Sequence, residues 1–241
     1  MNKPIVDIIV PTFNQAPLTA ACARSIREST EPEQARVIWV DNGSAPAERA
    51  AIADAWQRDV LALLLPENLG FVKATNAGIA VSTAPFILLL NNDTELRPGW
   101  LAAFLATFEA RPDVGLVGPW ATPLSGQWQA RRPNLAGNYD GPNLILHPTR
   151  MLAFFCTMIR REVIVDVGYL SEEWGIGWGD DDDYCARAQL AGWKLAVRTD
   201  VEVLHHGGRS FDALAPEEWS AIRATNLARL ERKWPQYRGS L

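Results

Sequence analysis

Five short apolar runs recur through the first 118 residues of the chain: Val6–Val10 (VDIIV), Arg36–Val40 (RVIWV), Leu61–Leu65 (LALLL), Phe86–Leu90 (FILLL) and Val114–Gly118 (VGLVG). Amphipathic stretches separate them. Pro17 opens one with Leu18, Cys22 and Ile26 on one face. Pro46 to Trp56 is the next, Phe71 to Val81 the third, and Trp100, Phe104 and Phe108 mark a fourth that stops at Pro112. Short strands alternating with helices predict βαβ units and a mainly parallel sheet. Largely apolar strands suit a sheet covered on both faces. Apolar residues make up 48% of the 241, enough for a sizeable core. The expected fold is α/β, a single Rossmann-like α/β/α domain.

The rhythm lapses after Pro119. Trp120 to Thr149 is rich in Pro, Gly, Asn and Arg without periodicity, and a segment of that length inside a compact domain reads as a functional loop. Met151 to Ile159 returns to the sheet. An acidic stretch with its helix follows, then short strands at Leu195–Val197 and Val201–His205, and a terminal helix over Pro216–Trp234.

The net charge of −5 argues against a general nucleic-acid binder. Cys22, Cys156 and Cys185 are widely spaced and form no metal or CxxC pattern, so they read as three buried thiols in a reducing compartment. Asp7 interrupts the N-terminal stretch too early for a signal peptide, and the apolar runs fall short of the ~20 residues that span a bilayer. The expectation is a soluble cytoplasmic protein.

In open α/β sheets, ligands bind beyond the carboxyl ends of the strands. Three of those ends are polar here: PTFN (Pro11–Asn14), DNGS (Asp41–Ser44) and NNDT (Asn91–Thr94). Each alone also reads as turn chemistry. Three on one edge argue for one polar ligand spread across it. No dinucleotide fingerprint or phosphate loop is present, and GIGWG (Gly175–Gly179), with no strand before it, reads as a flexible turn. A diphosphate held through a divalent cation remains, with Asp93 the candidate ligand.

The acidic stretch sets Asp180, Asp181, Asp182 and Asp183 in a row before a helical pattern. A helix N-terminus stabilises a carboxylate by roughly 0.3–1 kcal/mol, so one or two suffice for capping. Crowded carboxylates raise one another's pKa while the helix end lowers it. A solvated acidic cap is the plain alternative to a catalytic group.

Six blocks in order complete the pattern: VDIIVPTFN, WVDNGS, ENLGFVKATNAGI, LLLNNDTEL, GWGDDDDYCARAQLAGW and VLHHGGRSF, with NLARLERKWP near the end. Together they resemble the family 2 glycosyltransferases, inverting enzymes of the GT-A fold, and are most similar to bacterial rhamnosyltransferase-type members. The resemblance implies sugar transfer from a UDP- or dTDP-sugar to a hydroxyl of a glycan or lipid-linked acceptor, as in cell-surface polysaccharide synthesis, with Mg²⁺ or Mn²⁺. It divides the chain into a nucleotide-sugar half (1–118), an acceptor and catalytic half (119–215) and a C-terminal helix (216–241).

Residue by residue, the resemblance assigns Pro11, Thr12, Asn14, Asp41, Asn68, Gly70, Lys73 and Asn92 to the nucleotide sugar, with Asp41 accepting from a pyrimidine N–H. Asp93 matches the last acid of the family's DXD metal motif, but Asn91 and Asn92 stand before it, so one acid is present. Asp181 matches the base that takes the acceptor's proton. Asp180 and Asp183 fall to the acceptor, with Asp183 also spaced to pair with Arg187, and Asp182 is left as a solvated first-turn residue. The segment 120–149 with Trp174 and Trp178 would shape the acceptor pocket.

A histidine completes the metal shell in the family. His205 and His206 alternate across a strand, so one should face the site, and the spacing to Gly207, Gly208 and Ser210 favours His205. Arg209 is placed to meet phosphate. Arg223, Arg229, Arg232 and Lys233 near Trp219 and Trp234 give the last helix either peripheral contact with an anionic membrane or a basic outer face on a packed helix. Two rival readings remain. A sugar-nucleotide pyrophosphorylase would carry a Gly-rich, Arg-containing loop where PTFNQ stands. A non-catalytic nucleotide-sugar-binding protein draws on Asn91 and Asn92, against the Asp180-Asp181-x-Asp183 pattern.

Overall fold

The structure, a computed structural model, describes residues 3–56, 60–122, 144–147, 151–207 and 215–235. The first half follows the alternation in the sequence. It runs β1 (Val6–Thr12), α1 (Ala16–Ser29), β2 (Ala35–Asn42), α2 (Pro46–Trp56), β3 (Leu61–Leu65), α3 (Gly70–Val81), β4 (Phe86–Leu90), β5 (Thr94–Glu95), α4 (Trp100–Ala110) and β6 (Val114–Thr122). The second half adds β7 (Leu144–His147), β8 (Cys156–Arg160), α5 (Arg161–Val167), α6 (Asp180–Leu190), β9 (Lys194–His205) and α7 (Pro216–Lys233).

Among the described residues these strands form one sheet in the order β3-β2-β1-β4-β8-β6-β9-β5, with β7 also on β9. Strands β3, β2, β1 and β4 are mutually parallel. Their carboxyl ends therefore share one edge, as expected. Strand β8 then runs antiparallel between β4 and β6.

Alternation along the strands sends side chains to two cores. Ile8, Val10, Val37, Trp39, Leu88 and Leu90 pack with α1, α2 and α4 through Cys22, Ile26, Trp56, Trp100 and Phe104. Ile9, Ile38, Val40, Ile87 and Leu89 pack on the other face with α3, α5 and α6 through Val72, Ile79, Val163 and Tyr184. All three cysteines are free and buried. Far from the strand ends, buried Asp7 accepts two bonds from Arg36 at 2.8 Å and the backbone N–H groups of Thr83 and Ala84, pinning β1 to β2 and to the turn before β4.

The second half departs from the reading by periodicity. The apolar run from Met151 is strand only from Cys156; residues 151–155 are a connection that ends in a turn and is buried from Leu152 onward. The two short strands expected near 195–205 are one, Lys194–His205, with a register irregularity where Pro119 and Trp120 pair with Arg198 and Glu202. The 120–149 segment contributes strand at both ends, in β6 and β7, while 123–143 and 148–150 lie outside the described residues.

Candidate active site

The first two strand-end motifs are tied to each other and to the start of α3. The Asn14 N–H donates to Ser44 Oγ at 2.8 Å, and Asn14 Oδ1 accepts from the Ala45 N–H at 2.9 Å, joining the turns after β1 and β2. Asn42 Nδ2 donates to Asn68 Oδ1 at 2.8 Å, and Asn42 Oδ1 accepts from the Leu69 N–H at 2.9 Å, joining β2 to the start of α3. Gly43 and Gly70 both have positive φ, which suits glycine. A Cβ on Gly43 would lie 2.3 Å from the Glu67 carbonyl carbon, and one on Gly70 would lie 2.9 Å from Ile176 Cα. Both glycines thus permit backbone-on-backbone packing around the expected nucleotide position.

Asp41 is completely buried, and its Oδ2 accepts from Arg49 Nε at 2.6 Å. Its Oδ1 has no hydrogen-bond partner among the described residues. An orphaned buried oxygen costs about 1–3 kcal/mol, so this atom is available to an incoming N–H. The Thr12 hydroxyl is taken differently from expectation. It accepts from Trp39 Nε1 at 2.7 Å and donates to the Val40 carbonyl at 3.4 Å, so its single proton is used inside the fold. Pro11 is half-buried one residue earlier on β1. Lys73, half-exposed on α3, lies 4.0 Å from Glu172.

Asn92, the middle residue of the Asn91-Asn92-Asp93 run, is held by α1. Asn92 Nδ2 donates to Thr19 Oγ1 at 3.0 Å, while that hydroxyl's own proton goes to the Gln15 carbonyl. Thr19 can only accept at this point, so an amide fits and a carboxylate does not. Asn92 is a clamp between the turn and α1.

Asp93 Oδ1 lies 3.3 Å from His205 Nε2, both nearly buried. Neither atom has a hydrogen-bond partner among the described residues, and the mutual alignment does not make one. Phe155 stacks on the His205 ring at 4.7 Å and fixes its plane. Two orphaned donor atoms this close suit one shared cation. Magnesium-like ions often take one or two protein ligands and complete their shell with phosphates and water. Among the described residues no three His, Cys, Asp or Glu side chains cluster to hold a metal without such help. His206 is corrected as a metal candidate: the strand alternation turns it outward, where Nε2 pairs with Glu95 at 2.8 Å. Gly207 is described, but Gly208, Arg209 and Ser210 lie outside the described residues.

The four aspartates diverge although they share one helix turn. Asp180 is buried, and burial followed by repulsion from Asp181 pushes its carboxyl up to about 8, against N–H groups of its own residue and Trp178 that pull it down. Asp181 is partly exposed and is raised by burial and by Asp182, while the Phe154 N–H hydrogen-bonds its carboxylate. Asp182 is not solvated as expected. It is buried with an orphaned Oδ1, and burial and Asp180 raise its pKa.

Asp183 is corrected as an acceptor-binding residue, because its carboxylate is fully occupied. Oδ2 accepts from Arg187 at 3.0 Å, and Oδ1 meets Trp234 Nε1 at 2.9 Å and Lys233 Nζ at 2.8 Å. Burial alone would raise its pKa, but Lys233, Trp234 and Arg187 hold it below the usual carboxylate range.

Two residues overlooked in the sequence join these parts. The Phe154 N–H holds Asp181, while the next residue stacks on His205 and its carbonyl accepts from the Asn91 N–H at 2.8 Å. The candidate base and the candidate metal pair therefore flank one dipeptide. An apolar FF pair carries no sequence signal of such a role.

Trp174 is corrected from pocket wall to core, 1% exposed, with Arg229 and Lys233 over its ring. Trp178 stays half-exposed, with Arg223 5.5 Å from its ring. Two basic residues of α7 thus reach into the domain, Lys233 to Asp183 and Glu173 and Arg229 to the Glu173 carbonyl, while Arg232 is exposed. Helix α7 is packed on the domain through these contacts. No helix among the described residues is long and apolar enough to cross a membrane.

A sheet with this order and an acid–histidine pair at its parallel strand ends is the GT-A architecture. The mannosyltransferase PcManGT of Pyrobaculum calidifontis, solved with GDP-Man and Mn²⁺, superimposes with a TM-score of 0.69 at 19% identity, over 97% of this chain and 65% of that one. TarS of S. aureus, solved with UDP-GlcNAc, gives 0.65 at 15%, over 90% and 64%. At such identities the likeness is one of fold.

The chain belongs to glycosyl transferase family 2, whose profile matches residues 7–168. The pre-mycofactocin glycosyltransferase of Mycobacterium tuberculosis is 30% identical over 232 residues, covering 92% of this chain. The chain spans 47% of that relative's length.

Proposed function

We propose that the chain is an inverting glycosyltransferase that moves a sugar from a UDP- or dTDP-sugar to a hydroxyl of a glycan or lipid-linked acceptor, in cell-surface polysaccharide synthesis. The observation that supports this reading is the Phe154–Phe155 dipeptide, whose first residue meets Asp181 through its N–H and whose second stacks on His205, itself 3.3 Å from Asp93. The nucleotide sugars and Mn²⁺ in the solved neighbours support a donor and metal of that kind.

In this reading the partly exposed Asp181 carboxylate takes the proton of the acceptor hydroxyl. The freed oxygen attacks the anomeric carbon, and the bond to the diphosphate breaks on the opposite face, so configuration inverts. The Phe154 N–H aims the carboxylate, and the raised pKa makes it a stronger base once ionised. Asp180, beneath the turn before α6, orients acceptor hydroxyls. Asp93 and His205 would hold a divalent cation, which supplies charge stabilisation to the leaving diphosphate. On the donor side, Asp41 Oδ1 accepts the pyrimidine N–H, and Asn14, Asn68 and Gly70 shape the floor through the ties described above. Lys73, 4.0 Å from Glu172, would turn to the nucleotide sugar.

The test has two parts. Calorimetric titration with UDP, dTDP, GDP and ADP, each with and without Mn²⁺, should show pyrimidine-selective, metal-enhanced binding. Nucleoside diphosphate release should then appear from a panel including UDP-glucose, UDP-GlcNAc and dTDP-rhamnose. Binding of none, or of purines equally well, sinks the reading of the strand ends.

A further inference from the structure

We propose that Asn226 on α7 is a positioning residue for sugar transfer, setting the aim of Asp181 from outside the site; the proposal rests on the transfer reading above. Asn226 is 4% exposed. Its Nδ2 donates to three carbonyls of the turn before α6: Trp174 at 3.2 Å, Gly177 at 3.1 Å and Trp178 at 3.0 Å. One amide nitrogen carries two protons, so three acceptors share them, and the turn is drawn to a single point. Arg229 Nη1 donates to Asn226 Oδ1 at 2.8 Å, which orients the amide with its nitrogen towards the turn.

The turn needs such an anchor. Trp178 has φ of 74°, a left-handed conformation that a bulky side chain avoids unless its surroundings impose it. The same turn meets the donor side, since the Ile176 carbonyl accepts from the Phe71 N–H at 3.4 Å beside Gly70. It also feeds Asp180, whose carboxyl is hydrogen-bonded by the Trp178 N–H.

Helix α7 grips the other flank through Asp183, bound to Lys233 and Trp234. The helix therefore holds the chain just before and just after Asp180–Asp182, with no hydrogen bond or ion pair to them among the described residues. Asn is the fitting residue here. An aspartate would turn oxygens on three carbonyls, and an apolar residue would remove the side-chain donor from all three.

The experiment compares Asn226→Ala with the wild type and Asp181→Asn. A positioning role predicts kcat reduced by roughly 10–100-fold, as for a small misplacement of a catalytic group. The affinity for UDP with Mn²⁺ should stay within about twofold of wild type, because the ties of Asn14, Asn42 and Asn68 lie outside the turn, which meets the donor side through the long Phe71–Ile176 bond. Hydrogen exchange should rise in 174–181 and not in 86–93. If N226A does not fold, Arg229→Met frees the amide and should show the same split.

A variant with wild-type kcat overturns the proposal, as does parallel loss of kcat and nucleotide affinity, which marks a merely structural residue. A wild type that releases no nucleoside diphosphate from any donor overturns the transfer reading itself. That failure is told apart because it precedes any mutation.

Discussion

The two sides of the candidate site are built on opposite terms. On the strand-end side, polar groups mostly satisfy one another: Asn14 with Ser44 and Ala45, Asn42 with Asn68 and Leu69, Asn92 with Thr19. Across the Phe154–Phe155 dipeptide, the groups are left open. Asp93, His205 and Asp182 all keep orphaned atoms, and three consecutive carboxyls are raised in pKa. The satisfied side gives a rigid frame. The open side retains free energy that a cation, a phosphate or a proton can recover on binding. Asp41 shares both characters, with one oxygen on Arg49 and the other unpartnered.

The contrast can be broken most sharply at Asp181. Replacing it by Asn should reduce transfer by ~10²–10⁴, the usual contribution of a general base, and leave UDP titrations unchanged. Equal loss of nucleotide binding would place Asp181 in the frame instead. Asp93→Asn comes next. It should abolish the Mn²⁺ enhancement of UDP binding and weaken the metal-containing complex by roughly 10–100-fold, as losing a supporting group at a metal does. An unchanged calorimetric Mn²⁺ effect would remove Asp93 from the metal.

Asp183→Asn tests the one aspartate that belongs to the frame. It uncouples α6 from Lys233, Arg187 and Trp234, and loss of a partner in a buried ion pair costs about 3 kcal/mol. A melting point lower by roughly 6–12 °C is expected for a domain of this size. A shift under a degree or two would show that α7 docks without it.

The smallest effect sharpens the comparison through pH. Asp180, Asp181 and Asp182 have folded-state pKa values raised above those of the unfolded chain. The stability they confer is complete below about pH 4 and is lost as pH rises towards 8, where the folded chain must release protons it holds more tightly. Asp183, lowered in the folded state, acts in the opposite sense and loses its contribution as pH falls. Asp182→Asn should therefore flatten the decline in melting temperature between pH 5 and 8 and gain on the order of 1 kcal/mol at pH 8. An unchanged slope would mean that Asp182 is paired in solution. Transfer by the wild type should climb with pH through the neutral range as Asp181 ionises.

The family, the α/β order of the first 118 residues and the strand ends that carry polar motifs were legible in the linear chain. Periods of two and 3.6 are local properties, and parallel neighbours with buried faces leave little freedom in how they stack. The second half was read less well. Its strands pair across long separations, β9 parallel with β6 and antiparallel with β7, so β7 and the continuous length of β9 leave no local signature.

The acidic run shows the division most plainly. That four aspartates precede a helix is a fact of sequence. Which one is partly open to an acceptor, which is buried without a partner and which is locked to Lys233 and Trp234 depends on groups up to 51 residues away. The same holds for His205 against His206, where alternation makes one face inward and only the pairing of β9 with β5 says which. Local chemistry determined which residue types were available for catalysis. Tertiary packing decided their charge, exposure and aim, because burial and distant partners set a carboxyl's pKa and geometry more strongly than its neighbours in the chain do.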